Sequence, residues 1–149
     1  MTRVDFYFNA PDKLGIAATL ARKAYAKKNR LLVYTSDNAQ LDAFDKLLWT
    51  LPATGFLPHC RVGAKCAADT PILLTSDARI DPDAMPHHEV LMNLDAECPA
   101  NFSRFDRVLE IVSRDDQDDR NRARARLKFY RDRGYEIGTT DIEKLKDAR

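Results

Sequence analysis

Glycine is scarce, at five residues in 149, and no loop carries several glycines together. That excludes the loops by which α/β proteins usually hold a nucleotide: Asn9 to Gly15, after the first extended run, contains neither GxGxxG nor a GxxxxGKS/T pattern. An excess of charge of one sign is also missing. Lys and Arg number 24 against 23 Asp and Glu, a formal net charge of +1. No global field draws this chain to nucleic acid or to an anionic membrane, so anion binding has to be local. The three cysteines, Cys60, Cys66 and Cys98, form no CxxC pair, which argues against a disulfide framework and fits a reducing compartment. No apolar run approaches the ~18 residues of a membrane span, and the opening MTRVDFYF lacks the basic head and apolar stretch of a signal peptide. The expectation is a cytoplasmic protein without a membrane partner.

Catalytic and metal-binding patterns are missing as well. His59, Cys60 and Cys66 match no zinc spacing, and the neighbours His87 and His88 would point to opposite sides of a strand. Cys60 beside His59 is only adjacent in sequence, and Asp81/Asp83 and Asp95/Glu97 lie in turn-like segments where solvation explains them. No cofactor, metal or enzymatic activity is expected.

What is present is an alternation of extended and helical patterns over residues 1–149, read as one α/β domain. Val4 to Phe8 is a β-branched and aromatic run, and Leu14, Ala17, Ala18, Ala21, Ala24 and Tyr25 then recur at helical spacing behind a possible cap at Asp12. Arg30 to Thr35 is a nearly unbroken apolar run, the mark of a strand covered on both faces. A second helix, capped by Ser36 or Asp37, carries Leu41, Phe44 and Leu48 as far as Trp49 and stops at Pro52. Strands are then expected near Phe56 to Cys60, at Pro71 to Thr75, at His88 to Leu94 and at Arg107 to Val112, with Tyr135 to Ile137 as a last short one. Together these predict an open, mostly parallel sheet of about five strands with helices on both faces.

The stretch Asp115 to Tyr135 stands out. Four acids among five residues give way to an almost wholly basic run, as suits one helix with negative charge at its N-terminus, Ser113 as cap and Gly134 as stop. At 100° per residue, Arg120, Arg124, Lys128 and Arg131 fall within an arc of about 80°, bordered by Ala123, Leu127 and Tyr130. Ion pairs on a solvated face would explain a charge run alone. Four like charges at this spacing repel one another, however, and an apolar strip beside them offers an anionic partner both charge and grease. The other candidate surface is Trp49 with Phe56, Leu57 and Pro58. Its tryptophan is either core or an anchor for a partner protein.

Beyond these patterns the chain resembles the chi subunit of the bacterial DNA polymerase III clamp-loader complex. The resemblance is carried by Phe6-Tyr7, Arg30 to Tyr34, Leu41-Asp42, Asp45 to Trp49, Phe56 to His59, and Arg120 to Gly134 with its Lys128-Phe129-Tyr130-Arg131 ending. It implies a non-catalytic adaptor that holds the acidic, Pro-Phe-ended C-terminal tail of single-stranded DNA-binding protein. By position, Arg120, Arg124, Lys128 and Arg131 match the basic positions of the family's tail-binding helix, and Thr139 matches a polar residue near its end. Leu127 stands where an aromatic residue occurs in other members. An apolar slot for the terminal ring is expected beside Leu127 and Tyr130. The resemblance also implies a psi subunit, or another replication or repair protein, on Trp49, Phe56, Leu57 and Pro58. Two other readings remain: an enzyme acting on nucleotides through Asp12 to Gly15, and direct binding of single-stranded DNA by the basic helix. Near-neutral charge and the lack of an aromatic row on that helix weigh against direct binding, so no nucleic-acid partner is expected.

Overall fold

The computed structural model describes residues 2–50, 58–62, 70–76, 87–99 and 102–147. Within them the chain runs β1 (Arg3–Ala10), α1 (Lys13–Ala26), β2 (Leu31–Tyr34), α2 (Asn38–Thr50), β3 (His59–Arg61), β4 (Ile72–Thr75) and β5 (Val90–Asn93). It continues through a 3-10 turn (Phe102–Arg104) to β6 (Arg107–Ser113), α3 (Gln117–Asp132), β7 (Glu136–Asp141) and α4 (Ile142–Asp147).

The strands form one sheet in the order β3-β4-β2-β5-β6-β1-β7, and each of its neighbouring pairs is parallel. The sheet therefore has seven strands where about five are expected from sequence. The surplus lies at the edges: β3 has three residues and β7 reads Glu-Ile-Gly-Thr-Thr-Asp, so neither carries the continuous apolar run that marks a strand covered on both faces.

Period-two alternation divides the core. Leu31, Val33, Leu109 and Ile111 face α1 and α2, where Ala17, Ala21, Leu41, Phe44 and Leu48 pack on them. Leu32, Tyr34, Val108 and Val112, with Val4 and Phe6 of β1, face α3 and meet Ala123 and Tyr130. Small alanines let α1 lie close to the sheet. Asp37 Oδ1 accepts from the amides of Ala39 and Gln40, capping α2 as expected. Asp12 stands at the N-cap of α1 but its side chain makes no capping hydrogen bond.

Candidate functional site: a groove beside the basic helix

The acids before α3 do structural work. Asp116, not Ser113, is the N-cap: its Oδ1 accepts from the Asp119 amide at 3.1 Å, while Ser113 Oγ accepts from the Asp116 amide at 3.3 Å. Asp119 turns inward, accepting from Lys13 Nζ and from the Ser113 amide, each at 2.8 Å. Burial works to raise the Asp119 pKa, but the Lys13 hydrogen bond and charge and the Ser113 amide outweigh it and hold the carboxyl below its usual value. At the other end Gly134 adopts φ +83°, the left-handed conformation that ends a helix.

The rotation of α3 is fixed from beneath. Asp119, Ala123, Arg126 and Tyr130 form its buried stripe. Arg126 Nε donates to Glu110 Oε1 at 3.0 Å, and Glu110 Oε2 accepts from Asn93 Nδ2 at 2.9 Å and from Tyr130 Oη at 2.7 Å. Burial pushes the Glu110 carboxyl up, opposed by the Arg126 charge and the Asn93 and Tyr130 hydrogen bonds. Tyr130 is 0% exposed, its ring edge-on to Phe102 at 5.0 Å and to Phe6 at 6.0 Å. It therefore belongs to the core and does not border an open slot with Leu127, contrary to the sequence expectation.

With that stripe against the sheet, the next flank of α3 overhangs β1 and β7 and leaves a groove of about 310 Å³. Arg120, Arg124 and Leu127 of α3 and Thr139 of β7 line it, four of the residues singled out in sequence. Phe6 and Phe8 supply apolar surface from β1. The alternation of Val4, Phe6 and Phe8 was the signal for that floor, since all three point to the α3 side. Neither Arg120 nor Arg124 enters an ion pair among the described residues. Lys128 and Arg131 are exposed on the same helix but do not line the groove. The arrangement suits an anionic chain end carrying one apolar side chain: two guanidinium groups lie at the walls and phenyl rings below.

Trp49 lies elsewhere, at the end of α2. It is 61% exposed, while Phe44 and Leu48 of the same helix are buried, so it belongs to the surface. Its ring packs edge-on to His59 at a centroid distance of 4.9 Å, and His59 Nε2 lies 2.9 Å from Asp45 Oδ1. Pro58 is half-buried, and Phe56 and Leu57 lie outside the described residues.

The carboxyl ends of β2, β5 and β6 open on a polar crevice of about 460 Å³ where nucleotides bind in many open α/β sheets. Here the Lys13–Asp119 pair joins the first turns of α1 and α3 across it. Asp12 leans over the first turn of α1, so that a methyl group on Gly15 would meet its Oδ2 at 2.6 Å. A carboxylate in that position repels a phosphate, which disfavours Asp12 to Gly15 as a phosphate loop. Among the described residues no three His, Cys, Asp or Glu side chains group to hold a metal ion, and no helix is long and apolar enough to cross a membrane.

A family model described as "DNA polymerase III chi subunit, HolC" matches residues 1–138. The chain is 32% identical to the DNA polymerase III subunit chi of Pseudomonas aeruginosa over 141 residues, 92% of this chain and 94% of that one. It is 26% identical to the subunit of the same name from Haemophilus influenzae over 127 residues, 85% of each chain. With the Escherichia coli subunit chi the identity is 23% over 124 residues, 83% of this chain and 82% of the other.

Proposed function

The chain belongs to the family of DNA polymerase III chi subunits, and from that premise we propose that it is a non-catalytic adaptor, built as one α/β domain, that links the clamp loader to single-stranded DNA-binding protein. It does so by holding that protein's acidic C-terminal tail in the groove between α3 and the β1–β7 edge. The observation that carries the reading is the meeting of two unpaired arginines, Arg120 and Arg124, with an apolar floor from Phe6, Phe8 and Leu127. The terminal phenyl ring enters over that floor, and an arginine takes the terminal carboxylate in a bidentate pair. Lys128 and Arg131 meet the acids further up the tail, and Thr139 offers a hydroxyl at the β7 wall.

Exposed ion pairs contribute about 0.2–1 kcal/mol each and a buried phenyl about 1.5–3 kcal/mol, offset by ordering of the tail. The balance gives a dissociation constant on the order of micromolar that weakens as salt screens the pairs. Several tails on one single-stranded DNA-binding oligomer would raise the effective concentration, holding the polymerase assembly near coated template while leaving it free to move.

The test is titration with a labelled peptide copying the tail of the cognate single-stranded DNA-binding protein. Binding near micromolar, weakened by Arg120→Ala/Arg124→Ala and by deletion of the final Phe, is the expected result. A peptide that fails to bind at low salt overturns the reading. The exposed Trp49 supports a second contact, with a psi-like subunit or another replication or repair protein, in the region of Pro58 and the neighbouring Phe56 and Leu57. Loss of copurification of that partner with a Trp49→Ala variant tests it.

A further inference from the structure

The near-neutral total charge conceals a strong segregation. From Lys13 to Arg30 the chain carries Lys13, Arg22, Lys23, Lys27, Lys28 and Arg30 and no acid at all. Lys13 is committed to Asp119. The others gather at the C-terminal end of α1 and the turn after it, where Lys23, Tyr25, Lys27, Lys28 and Arg30 are all exposed. Lys23, Lys27 and Lys28 enter no ion pair among the described residues. A helix C-terminus favours a cation or two. It does not account for the absence of every acid, nor for two further features.

The first is a hollow of about 70 Å³ under the last turn of α1, lined by Lys23, Lys27, Asn29, Arg107 and Tyr7. It has room for the oxygens of a phosphate group and is too small for a base. Lys23 and Lys27, one turn apart, converge on it from above. Arg107 is held on the far wall, its Nε donating to Asp5 Oδ2 at 2.6 Å and its Nη2 to Tyr7 Oη at 3.0 Å. The second feature is Tyr25, 39% exposed, one of two large apolar side chains left in solvent among the described residues. Arg22 lies one turn before it and Lys28 three residues after.

We infer that the C-terminal end of α1 is a binding surface for single-stranded nucleic acid, with one backbone phosphate seated between Lys23, Lys27 and Arg107 and a base stacked on Tyr25. A cationic track with an exposed aromatic ring is the chemistry that holds unpaired bases without regard to sequence. Bases in a duplex are not free to stack on a ring, which sets the single strand apart as occupant. This surface does not involve the α3 groove, so it stands whether or not that groove takes a tail.

The experiment is fluorescence anisotropy of a labelled oligothymidylate with the full chain at several salt concentrations, in the absence of any other protein. Three variants are compared: Lys23→Ala/Lys27→Ala, Tyr25→Ala and Arg120→Ala/Arg124→Ala, each checked for an unchanged unfolding midpoint. Binding should weaken severalfold in the lysine variant, and its salt slope should fall by about 1.4, at about 0.7 per lost phosphate contact. Tyr25→Ala should weaken binding at an unchanged slope, and the α3 variant should bind like the parent. No binding at low salt overturns the inference, as does binding lost only in the α3 variant. Equal binding to a duplex of the same length, or displacement by equimolar inorganic phosphate, would also overturn it, the last making the hollow a site for free anions.

Discussion

Arg126 of α3 and Glu110 of β6 meet beneath the helix as an ion pair 3.0 Å long, with side chains only 3% and 0% exposed. Such a pair adds little net stability over an apolar equivalent, but breaking it strands a charge in the core. What it supplies here is angle. With Arg126 directed at Glu110, Arg120, Arg124 and Leu127 lie along the groove and Lys128 points away from the sheet.

Glu110→Gln keeps the shape of the side chain and removes its charge, leaving the Arg126 guanidinium buried without a counter-ion. We expect a loss on the order of 3–5 kcal/mol in urea unfolding. Adding Arg126→Met should restore part of it. A single variant within about 1 kcal/mol of the parent would refute the account.

Tyr130 and Leu127 separate core from groove. Tyr130→Phe removes the hydrogen bond to Glu110 and should cost about 1.5–3 kcal/mol in stability with no change in tail affinity. Leu127→Ala should leave stability nearly unchanged and weaken the tail severalfold. Measured side by side by denaturation and peptide titration, the two effects should exchange places; a Tyr130→Phe protein that loses tail binding at full stability contradicts the burial of that ring.

Asp119 has a folded-state pKa below its unfolded value, so its stabilisation is present above the ordinary carboxyl range and is lost as the pH falls through that range. Asp119→Asn should therefore destabilise most at neutral pH. The gap between variant and parent should close towards pH ~3. A gap independent of pH would rule out the Lys13 pairing as its source.

His87 is buried at the entrance to β5, and neither ring nitrogen has a hydrogen-bond partner among the described residues. Burial lowers its pKa from 6.5 to about 4. Since the unfolded chain takes up the proton first, stability should fall as the pH drops from about 6.5 towards 4, by an amount on the order of 3 kcal/mol. His87→Leu should flatten that part of the pH profile; an unaltered profile would refute the assignment.

Trp49 and Phe44 share a helix and should respond in opposite ways. Phe44→Ala opens a cavity in the core and should cost about 3–5 kcal/mol, whereas Trp49→Ala should cost about 1 kcal/mol or less in thermal or chemical unfolding. Equal losses would mean that the ring is packed inside.

The sequence patterns carry the central strands and the three long helices, because Leu31 to Tyr34 and Ile72 to Thr75 are apolar without interruption and α3 is bracketed by acids and Gly134. They also carry the cationic half of the groove. The apolar half was misread at Tyr130: Leu127 and Tyr130 lie about 60° apart on the helix, and only the position of the sheet decides which is covered. The Glu110–Arg126 contact depends on how α3 crosses β6. Its one local trace is an acid inside the apolar run Val108 to Val112. The cap moved from Ser113 to Asp116 because β6 extends through Ser113 before the helix begins.

The strand order has a consequence for biosynthesis. β1 is the earliest strand of the seven, yet its neighbours are β6 and β7: Val4 is in register with Val108 on one side and Ile137 on the other. While β2, β4 and β5 can pair as they emerge from the ribosome, the apolar face of Val4 and Phe6 has no strand to join until almost the whole chain has been translated. The segment made first is completed last, and it forms the floor of the groove.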